Sequence, residues 1–332
     1  MKTEVVRVDP LRPEPDVIAR AVRILTAGGL VVLPTETVYG LGAAADDAAS
    51  VARIFEAKGR PAYNPLIVHV ANVRAARDLA SRWPESAERI THHAWPGPLT
   101  VVVPRNRAKV PDVVTAGGDT VALRMPDHPV ALALLSALGR PIAAPSANRF
   151  QALSPTTAAH VLKNLDGHVE LILDAGPCDR GIESTVVDCT GEVPVVLRHG
   201  AYSLATLRRL AGGLQSAHEP NENDAAALRS PGLLRLHYAP NARLVIARPE
   251  TLAHALREAG ERRALVTHRA STANFAPAEV CTLPSDPEGY GAALYATLHR
   301  LDDAGVHTIV VEAVPDDEAW SAIRDRLARA SG

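Results

Sequence analysis

A short apolar run that leads into a polar, glycine-bounded segment constrains the fold of this chain more than any other stretch. Residues 30–33 are Leu, Val, Val and Leu, a composition typical of a buried strand. Pro34 has no amide proton to donate to a neighbouring strand and therefore ends the run. Two threonines, a glutamate, a tyrosine and two glycines follow, up to Gly42. A polar loop after a buried strand predicts a pocket at that sheet edge, although an ordinary loop explains this segment alone equally well.

The amino-acid composition is that of a globular protein with nearly balanced charge. The chain has 332 residues, of which 47% are hydrophobic, and this length suits two domains. Because 4% are aromatic, the core must be built from Ala, Val, Leu and Ile, which suits helices packed on a sheet. A formal net charge of -2 gives no reason to expect a general nucleic-acid or membrane binder.

The cysteines and the length of the apolar runs indicate a cytoplasmic protein. Cys178, Cys189 and Cys281 form no CxxC pair and no metal-binding spacing with histidine, so free thiols in a reducing cytosol are expected. No signal-peptide core follows Met1, and no apolar run is long enough to span a bilayer. We therefore expect a cytoplasmic location and no membrane partner.

In the first two-thirds of the chain, predicted strands and predicted helices do not alternate strictly. Ser154 and Pro155, for example, suit the N-cap and first position of a helix that ends near Leu165. The predicted helices span residues 16–26, 48–57, 73–81, 85–94, 130–138, 154–165 and 203–210. The predicted strands span residues 30–33, 66–70, 99–103, 121–123, 142–144 and 171–173, with a hairpin of 185–187 and 193–197. This mixture predicts an α/β fold with α+β character, whose twisted sheet is mixed.

A polar stretch separates this region from a second, smaller α/β region. Residues 211–230 are rich in turn-forming and polar types, which is typical of a linker. Beyond Pro240, predicted strands at 244–247, 264–267, 280–283 and 308–311 alternate with predicted helices at 251–259, 289–304 and 317–330. That alternation predicts a small Rossmann-like domain with a parallel sheet. The predicted domains are residues 12–210 and 241–332, joined by a linker over 211–240.

Polar side chains follow several predicted strands, lie within one of them or precede the predicted hairpin, and they would meet if those strands share one sheet edge. They are Thr35, Glu36, Thr37, His69, Arg124, Ser146, Asn148, Glu183, Ser184 and Arg198. Together with Lys58 or Arg60, the arginines at 124 and 198 would supply three cations, which suits a phosphate or carboxylate ligand. Each residue alone has a simpler structural explanation, such as a helix C-terminus for Lys58. The set as a whole favours an anion-binding pocket.

Sequence motifs for several other chemistries are missing. The chain has no GxxxxGK[ST] phosphate-binding loop, no GxGxxG after a strand, no HExxH and no GxSxG. His92 and His93 lie on a predicted helix without a nearby acid, so we expect no metal ligands from the protein. A nucleotide would have to be held without the usual glycine-rich motifs.

Several collinear motifs carry a family resemblance. They read PTETVYGL from Pro34, KGRP from Lys58, NPL from Asn64, WPGPLT from Trp95, RMP from Arg124, APSAN from Ala144, SPT from Ser154 and ESTV from Glu183. After the linker region, SPG starts at Ser230 and HYAP at His237. In this combination the chain resembles threonylcarbamoyl-AMP synthases of the YrdC-domain type, in the long form with a C-terminal domain. The resemblance covers residues 12–240 by motif and the rest in kind and position.

The resemblance implies a nucleotidyltransferase that makes L-threonylcarbamoyladenylate from L-threonine, bicarbonate and ATP. Its product would pass to a downstream tRNA-modifying threonylcarbamoyl transferase, and Mg²⁺ would accompany the ATP phosphates. The L-threonine contacts carried over by motif are Thr37, His69, Arg124, Ala144 and Ser184. The ATP contacts carried over are Lys58, Arg60, Asn64, Thr120, Ser146, Ser154, Arg198 and Tyr238. No protein nucleophile, base or metal ligand is assigned, since phosphoryl chemistry depends mainly on positioning and charge neutralisation.

A non-catalytic module that binds structured RNA is the alternative from a different functional class. A concave, basic face could hold RNA without chemistry, but the near-neutral charge and scarce aromatics oppose it. The sequence leaves open whether tRNA is bound directly, which oligomer forms and what the C-terminal domain does.

Overall fold

The computed structural model describes residues 2–216, 238–269 and 279–331, which build two α/β units. The strands of the first unit are β1 (Glu4–Arg7), β2 (Val31–Leu33), β3 (Gly40–Ala44), β4 (Ile67–His69), β5 (Leu99–Pro104), β6 (Thr120–Arg124), β7 (Ile142–Ala143), β8 (Leu171–Asp174), β9 (Thr185–Asp188), β10 (Val195–Arg198) and β11 (Gln215–Ser216). Its helices are α1 (Pro15–Thr26), α2 (Ala48–Lys58), α3 (Val73–Asp78), α4 (Glu85–Ala94), α5 (Asp112–Thr115), α6 (Pro129–Leu138), α7 (Ala158–Leu165) and α8 (Leu204–Ala211). The second unit contains β12 (Arg243–Ala247), α9 (Leu252–Glu258), β13 (Arg263–Thr267), β14 (Glu279–Thr282), α10 (Pro287–Asp303), β15 (Thr308–Glu312) and α11 (Ser321–Ser331).

The large sheet is mixed, which confirms the prediction. Its strand order is β1-β8-β2-β3-β7-β4-β6-β5-β9-β10-β11. β3 runs antiparallel to both β2 and β7, and β9 and β10 form the predicted antiparallel hairpin. β4 and β6 run parallel, in a register that places His69 opposite Arg124. Two polar residues that are far apart in the sequence therefore end neighbouring strands at one edge.

Helices cover both faces of this sheet, so its central strands are buried on both sides. Val31 and Leu33 of β2 share an apolar cluster with residues of α1 and α6. Val32 lies on the opposite face, in a cluster with residues of α2. Burial on both faces is why β2 reads as a continuous apolar run rather than an alternating one.

The small sheet has four parallel strands in the order β12-β15-β13-β14, which confirms the predicted second α/β domain. Two of the helices beside it are preceded by a short turn that the sequence did not predict. Pro249–Thr251 and Glu318–Trp320 are short 3₁₀ turns that precede α9 and α11. In the part of the chain that the structure describes, no helix has the length and apolar character needed to cross a membrane.

The prediction that residues 34–42 form a loop was wrong for its second half. Gly40–Ala44 is β3, which pairs directly with β2. A Cβ atom at position 42 would lie 2.9 Å from the Val31 carbonyl oxygen, so glycine allows this close pairing. The polar loop is therefore limited to residues 34–39, between two strands of one hairpin.

The predicted helix start at Ser154 was also wrong. α7 begins at Ala158, and the Thr157 side chain caps it by accepting a hydrogen bond from the His160 amide. The Ser154 hydroxyl instead donates to Glu183 Oε1 at 2.5 Å. The Ser154 side chain, which the local sequence predicted as the helix cap, therefore forms a tertiary hydrogen bond instead.

Some elements and boundaries lie beyond what the sequence predicted. β1, α5 and β11 were not predicted, and β11 falls inside the predicted linker. The predicted linker element at Ser230 lies outside the described residues, as does His237, whereas Tyr238, Ala239 and Pro240 of the same motif are described. The boundaries 12–210, 211–240 and 241–332 therefore stay a prediction.

Candidate active site

A pocket opens where β4, β6 and β10 end, beside the loops that follow β2 and β7, two strands that run in the opposite direction in the sheet. It is lined by Thr35, Thr37, Val38, Gly40, Arg60, Ile67, His69, Arg124, Ala144, Pro145, Ser146, Glu183, Ser184, Arg198 and Tyr238. The predicted site residues in this lining are Thr37, Arg60, His69, Arg124, Ala144, Ser146, Ser184, Arg198 and Tyr238. The structure therefore brings together residues from the whole first unit and from the segment that enters the second.

Two loops are joined to form one wall of the pocket. The Leu41 amide donates to the Pro145 carbonyl at 2.8 Å, and the Ala147 amide donates to the Tyr39 carbonyl at 2.8 Å. Gly40 forms an isolated β-bridge with Ser146. The hydroxyl-rich loop after β2 and the loop after β7 are consequently held in fixed register.

A chain of hydroxyl groups fixes the orientation of Thr37. The Thr35 hydroxyl donates to the Val38 carbonyl at 2.7 Å, which commits its proton. The Thr37 hydroxyl lies 2.8 Å from the Thr35 oxygen and must therefore be the donor in that pair. Thr37 is left as a hydrogen-bond acceptor towards the pocket that it lines.

Arg124 is held by a buried carboxylate. Its Nη2 atom donates to Glu36 Oε1 at 2.7 Å, and both side chains are buried. Glu36 is thus placed as a counterion that orients Arg124. The sequence had singled out Glu36 without a role in substrate binding, and its contact explains why a carboxylate stands between two threonines.

His69 is a neutral imidazole at physiological pH. Burial, assisted by the adjacent Arg124 charge, lowers the pKa of His69 to about 3. Its Nδ1 atom is buried and has no hydrogen-bond partner among the described residues. A neutral ring with an unused polar atom suits a hydrogen-bonding role in the pocket more than proton transfer.

Ser184 and Arg198 form the opposite wall. The Ser184 carbonyl accepts hydrogen bonds from Arg198 Nε at 3.1 Å and from Nη2 at 3.0 Å. The Ser184 hydroxyl lies 2.8 Å from the Thr100 hydroxyl, which orients it. Thr100 was quoted only as part of a motif, and nothing in the sequence indicated that it contacts Ser184 across two strands.

Lys58, which was predicted to contact ATP, bonds to the backbone of a loop that lines the pocket. Its ammonium group donates to the Ser146 carbonyl at 2.5 Å and to the Asn148 carbonyl, and the side chain is buried. Burial, with a contribution from the Arg60 charge, places the pKa of Lys58 well below its ordinary value. Lys58 therefore fixes the loop that carries Ser146 and does not itself line the pocket.

Three further predicted residues lie outside the lining. Asn64 is buried, and its carbonyl oxygen accepts from Arg60 Nε at 3.3 Å. Ser154 bonds to Glu183, as described above. Thr120 starts β6, at the opposite end of that strand from Arg124. A ligand that touches both ends of β6 would have to span about 13 Å, from four residues at about 3.3 Å each.

The second unit contributes to the pocket wall through two residues that the sequence did not identify. Tyr295 of α10 donates to Glu183 Oε2 at 3.2 Å, and Arg326 of α11 donates to the same atom at 2.6 Å. The sequence does contain an indication that Arg326 is buried, because Arg326 lies on the same buried face of α11 as Ile323 and Leu327. A charged residue on an apolar stripe indicates a buried partner.

The donors of this pocket do not form a metal centre by themselves. Across residues 2–216, 238–269 and 279–331, no group of three or more His, Cys, Asp or Glu side chains could hold a metal ion. The Glu183 carboxylate in the pocket is already bonded to Arg326, Ser154 and Tyr295.

Comparison with known proteins supports the resemblance seen in the motifs. The Sua5/YciO/YrdC family model, described as "Telomere recombination", matches residues 23–200. The model described as "Threonylcarbamoyl-AMP synthase, C-terminal domain" matches residues 202–332. The chain is 40% identical over 331 residues to the threonylcarbamoyl-AMP synthase of Bacillus subtilis (strain 168), covering 98% of this chain and 95% of that protein.

Archaeal relatives extend the similarity to the three-dimensional structure. The threonylcarbamoyl-AMP synthase of Pyrococcus abyssi (strain GE5 / Orsay) is 39% identical over 321 residues, covering 94% of this chain and 93% of that protein. A crystal structure of P. abyssi Sua5 complexed with L-threonine is 39% identical and has a TM-score of 0.91, covering 99% of this chain and 98% of that one. The chain therefore belongs to the threonylcarbamoyl-AMP synthase family, enzymes of the nucleotidyltransferase type, in its two-domain form.

Proposed function

We propose that this protein condenses L-threonine, bicarbonate or CO₂, and ATP to L-threonylcarbamoyladenylate and pyrophosphate. The product would supply a tRNA-modifying threonylcarbamoyl transferase. The observation that supports this most directly is one pocket that combines three buried arginines with an oriented hydroxyl and a neutral histidine. Family membership over nearly the whole chain supports the same reaction.

Arg124, Thr37 and His69 form the proposed threonine end of the pocket. The Arg124 guanidinium offers planar donors to the amino-acid carboxylate, and Glu36 keeps it in place. The Thr37 oxygen accepts a hydrogen bond from the amino group, because its own proton goes to Thr35. Ser184 and the backbone at Ala144 complete this end of the pocket.

Arg60, Arg198, Ser146 and Tyr238 form the proposed nucleotide end. Burial lowers the pKa of Arg60 to about 10, so it remains charged at neutral pH. Lys58 and Ser154 act through Ser146 and Glu183, the groups to which they bond. Asn64, whose carbonyl accepts from Arg60 Nε, and Thr120, at the start of β6, complete the proposed set of ATP contacts. Mg²⁺, when bound with ATP, would neutralise phosphate charge through ATP oxygens and water.

The reaction needs positioning more than a protein nucleophile. The threonine nitrogen bonds to the carbon of CO₂ and loses a proton to solvent water, or it bonds to the carbon of bicarbonate, whose departing hydroxide takes the proton and leaves as water. Either route gives the carbamate. A carbamate oxygen then bonds to the α-phosphorus, while the bond to the β-phosphate oxygen breaks and pyrophosphate leaves. His69, with a pKa of about 3, is too weak a base to remove the ammonium proton, so it orients the substrate as a hydrogen-bonding group.

Pyrophosphate release tests this function against the RNA-binding alternative. The protein is incubated with ATP, bicarbonate and Mg²⁺, with and without L-threonine, and L-serine serves as a matched control. The synthase releases pyrophosphate and forms an adenylate when threonine is present. A folded sample that binds structured RNA and forms no pyrophosphate with threonine would instead identify a binding module.

A further inference from the structure

Arg326 is a buried cation at the boundary between the two domains. It belongs to α11 of the C-terminal domain, and its side chain is 0% exposed. Its Nε atom donates to Glu183 Oε2 at 2.6 Å, and its Nη2 atom donates to the His199 carbonyl at 3.0 Å. Both partners belong to the first domain and flank the pocket residues Ser184 and Arg198.

Glu183 collects hydrogen bonds from both domains. Ser154 donates to one carboxylate oxygen at 2.5 Å, and Tyr295 and Arg326 donate to the other. Burial by itself raises the pKa of this carboxyl group, but the Arg326 and Arg198 charges and the hydrogen bonds bring it below its ordinary value. Glu183 is therefore a carboxylate in the pocket wall whose charge depends on a residue of the other domain.

Arg326 also contacts the pocket residue that we place against the nucleotide. Its guanidinium carbon lies 5.0 Å from the centre of the Tyr238 ring, within the range of a cation–π interaction. The Tyr295 ring lies 6.0 Å from the same ring. Tyr238 has a φ of 62°, a conformation unusual for a residue other than glycine, so it relies on its surroundings to keep this position.

Arg326 is not itself part of the pocket lining. We propose that Arg326 is a positioning residue for the nucleotide end of the pocket, where it holds Glu183 and Tyr238 from the C-terminal domain. Docking of that domain is then a condition for ATP binding, while the threonine end is built entirely from the first domain. This inference rests on the proposed function, because it assigns Tyr238 and Arg198 to the nucleotide.

The test compares the two substrates in one variant. Arg326→Met should weaken binding of a non-hydrolysable ATP analogue by roughly tenfold or more and change threonine binding by less than about threefold, as measured by calorimetry. The KM values for pyrophosphate release should separate in the same way. Arg300→Met is the matched control, because Arg300 forms an exposed ion pair with Glu279 on the C-terminal domain. It should leave both affinities unchanged.

A second variant separates positioning from simple loss of fold. Arg326→Met leaves the Glu183 charge buried without its main partner, whereas the double variant Glu183→Gln, Arg326→Gln leaves neither charge behind. The double variant should recover thermal stability and still bind the ATP analogue roughly tenfold more weakly than the wild type. Wild-type ATP binding in the double variant would overturn the proposal, as would equal losses for both substrates in Arg326→Met.

The same experiments keep this inference distinct from the proposed function. Pyrophosphate release by the wild-type protein decides whether the reaction occurs, independently of any variant. The calorimetric comparison of ATP analogue and threonine decides the role of Arg326, because it needs no turnover. A wild-type protein that binds both ligands but releases no pyrophosphate would end the synthase proposal and leave the Arg326 comparison fully informative.

Discussion

In the large sheet, the residues that end β4, β6 and β10 line a pocket, whereas the residues that end β13 and β15 in the small sheet bond to one another. Thr267 donates to Glu312 in a short hydrogen bond, and Arg269 lies 3.4 Å from the same carboxylate. The His268 ring lies 5.6 Å from the Trp320 ring. Both sheets thus place polar residues at their carboxyl ends, the usual place for a site in an α/β fold.

The difference between the two edges lies in the partners of these polar groups. At the small-sheet edge, the Glu312 carboxylate is engaged by neighbours of its own domain, and it contributes to stability. At the large-sheet edge, the buried counterion Glu36 orients Arg124 while the pocket remains open beside it. A polar residue after a strand therefore indicates a site only when the packing around it leaves room for a ligand.

The largest expected effect comes from removing Arg124. Arg124→Met should lower kcat/KM for threonine by roughly a hundredfold or more, because the carboxylate partner is lost and Glu36 is left unpaired. The measurement is pyrophosphate release as a function of threonine concentration. Arg105→Met is the control, since Arg105 is equally buried and paired with Asp112 but is not in the pocket lining. A comparable loss of threonine use in Arg105→Met would show that Arg124 acts only through stability.

The second prediction concerns the small-sheet edge. Glu312→Gln should lower the free energy of unfolding by about 1–3 kcal/mol, because the Thr267 hydrogen bond loses a charged acceptor and Arg269 loses its ion-pair partner. Denaturant unfolding measures this effect. Activity per folded molecule should remain within about twofold of the wild type. A selective loss of activity in this variant would place a functional site at the small-sheet edge and remove the contrast between the two sheets.

A smaller effect is expected for the threonine hydroxyls. Thr37→Val should raise KM for threonine by roughly tenfold, since one hydrogen-bond acceptor is removed from the pocket. Thr35→Val should raise KM for threonine by a similar factor, because the Thr37 hydroxyl loses the acceptor that orients it. Thr37→Ser keeps the hydroxyl and should retain most of the wild-type affinity. Equal KM values for the Val and Ser variants at position 37 would contradict the proposed contact.

The smallest effect is a pH dependence of the contact between the domains. His160 of α7 stacks on His299 of α10, with ring centres 3.9 Å apart, and burial with the neighbouring His299 charge lowers the pKa of His160 to about 4. Since the unfolded chain binds this proton near pH 6.5, stability should fall as the pH decreases from about 6.5 to about 4. Because His160 is only partly buried, solvent screening limits the change in the free energy of unfolding to about 1–2 kcal/mol.

The control variant for this pH dependence replaces the His160 ring with an aromatic ring that does not titrate. His160→Phe keeps an aromatic partner for His299 and should flatten the thermal unfolding profile between about pH 6.5 and 4. Lys163, Asp302 and Asp303 lie close to the two rings and are unchanged in the variant, as is His299. An unchanged slope in His160→Phe would assign the acid sensitivity to these neighbours.

The sequence predicted most of the elements and much of the proposed site because both follow from local patterns. Continuous apolar runs identified β2 and β5, and the helix predicted over 48–57 is α2, which the Asp47 side chain caps at its start and Gly59 at its end. The residues quoted from the motifs lie in one pocket where they follow strand ends, as His69 and Arg124 do. Local chemistry was misleading for Ser154, whose hydroxyl bonds to Glu183 instead of capping a helix.

The polar loop after β2 separates what the sequence determined from what only the tertiary structure decided. The amino-acid sequence determined that a buried strand ends at Pro34 and that hydroxyls follow it, because burial and the missing amide proton are local properties. The direction of the Thr37 hydrogen bond, the pairing of Glu36 with Arg124 and the reach of Arg326 into the pocket wall depended on long-range packing. Side chains far apart in the chain find their partners only when two sheets and their helices have assembled, so the fold decides which polar groups bond to each other and which remain for a substrate.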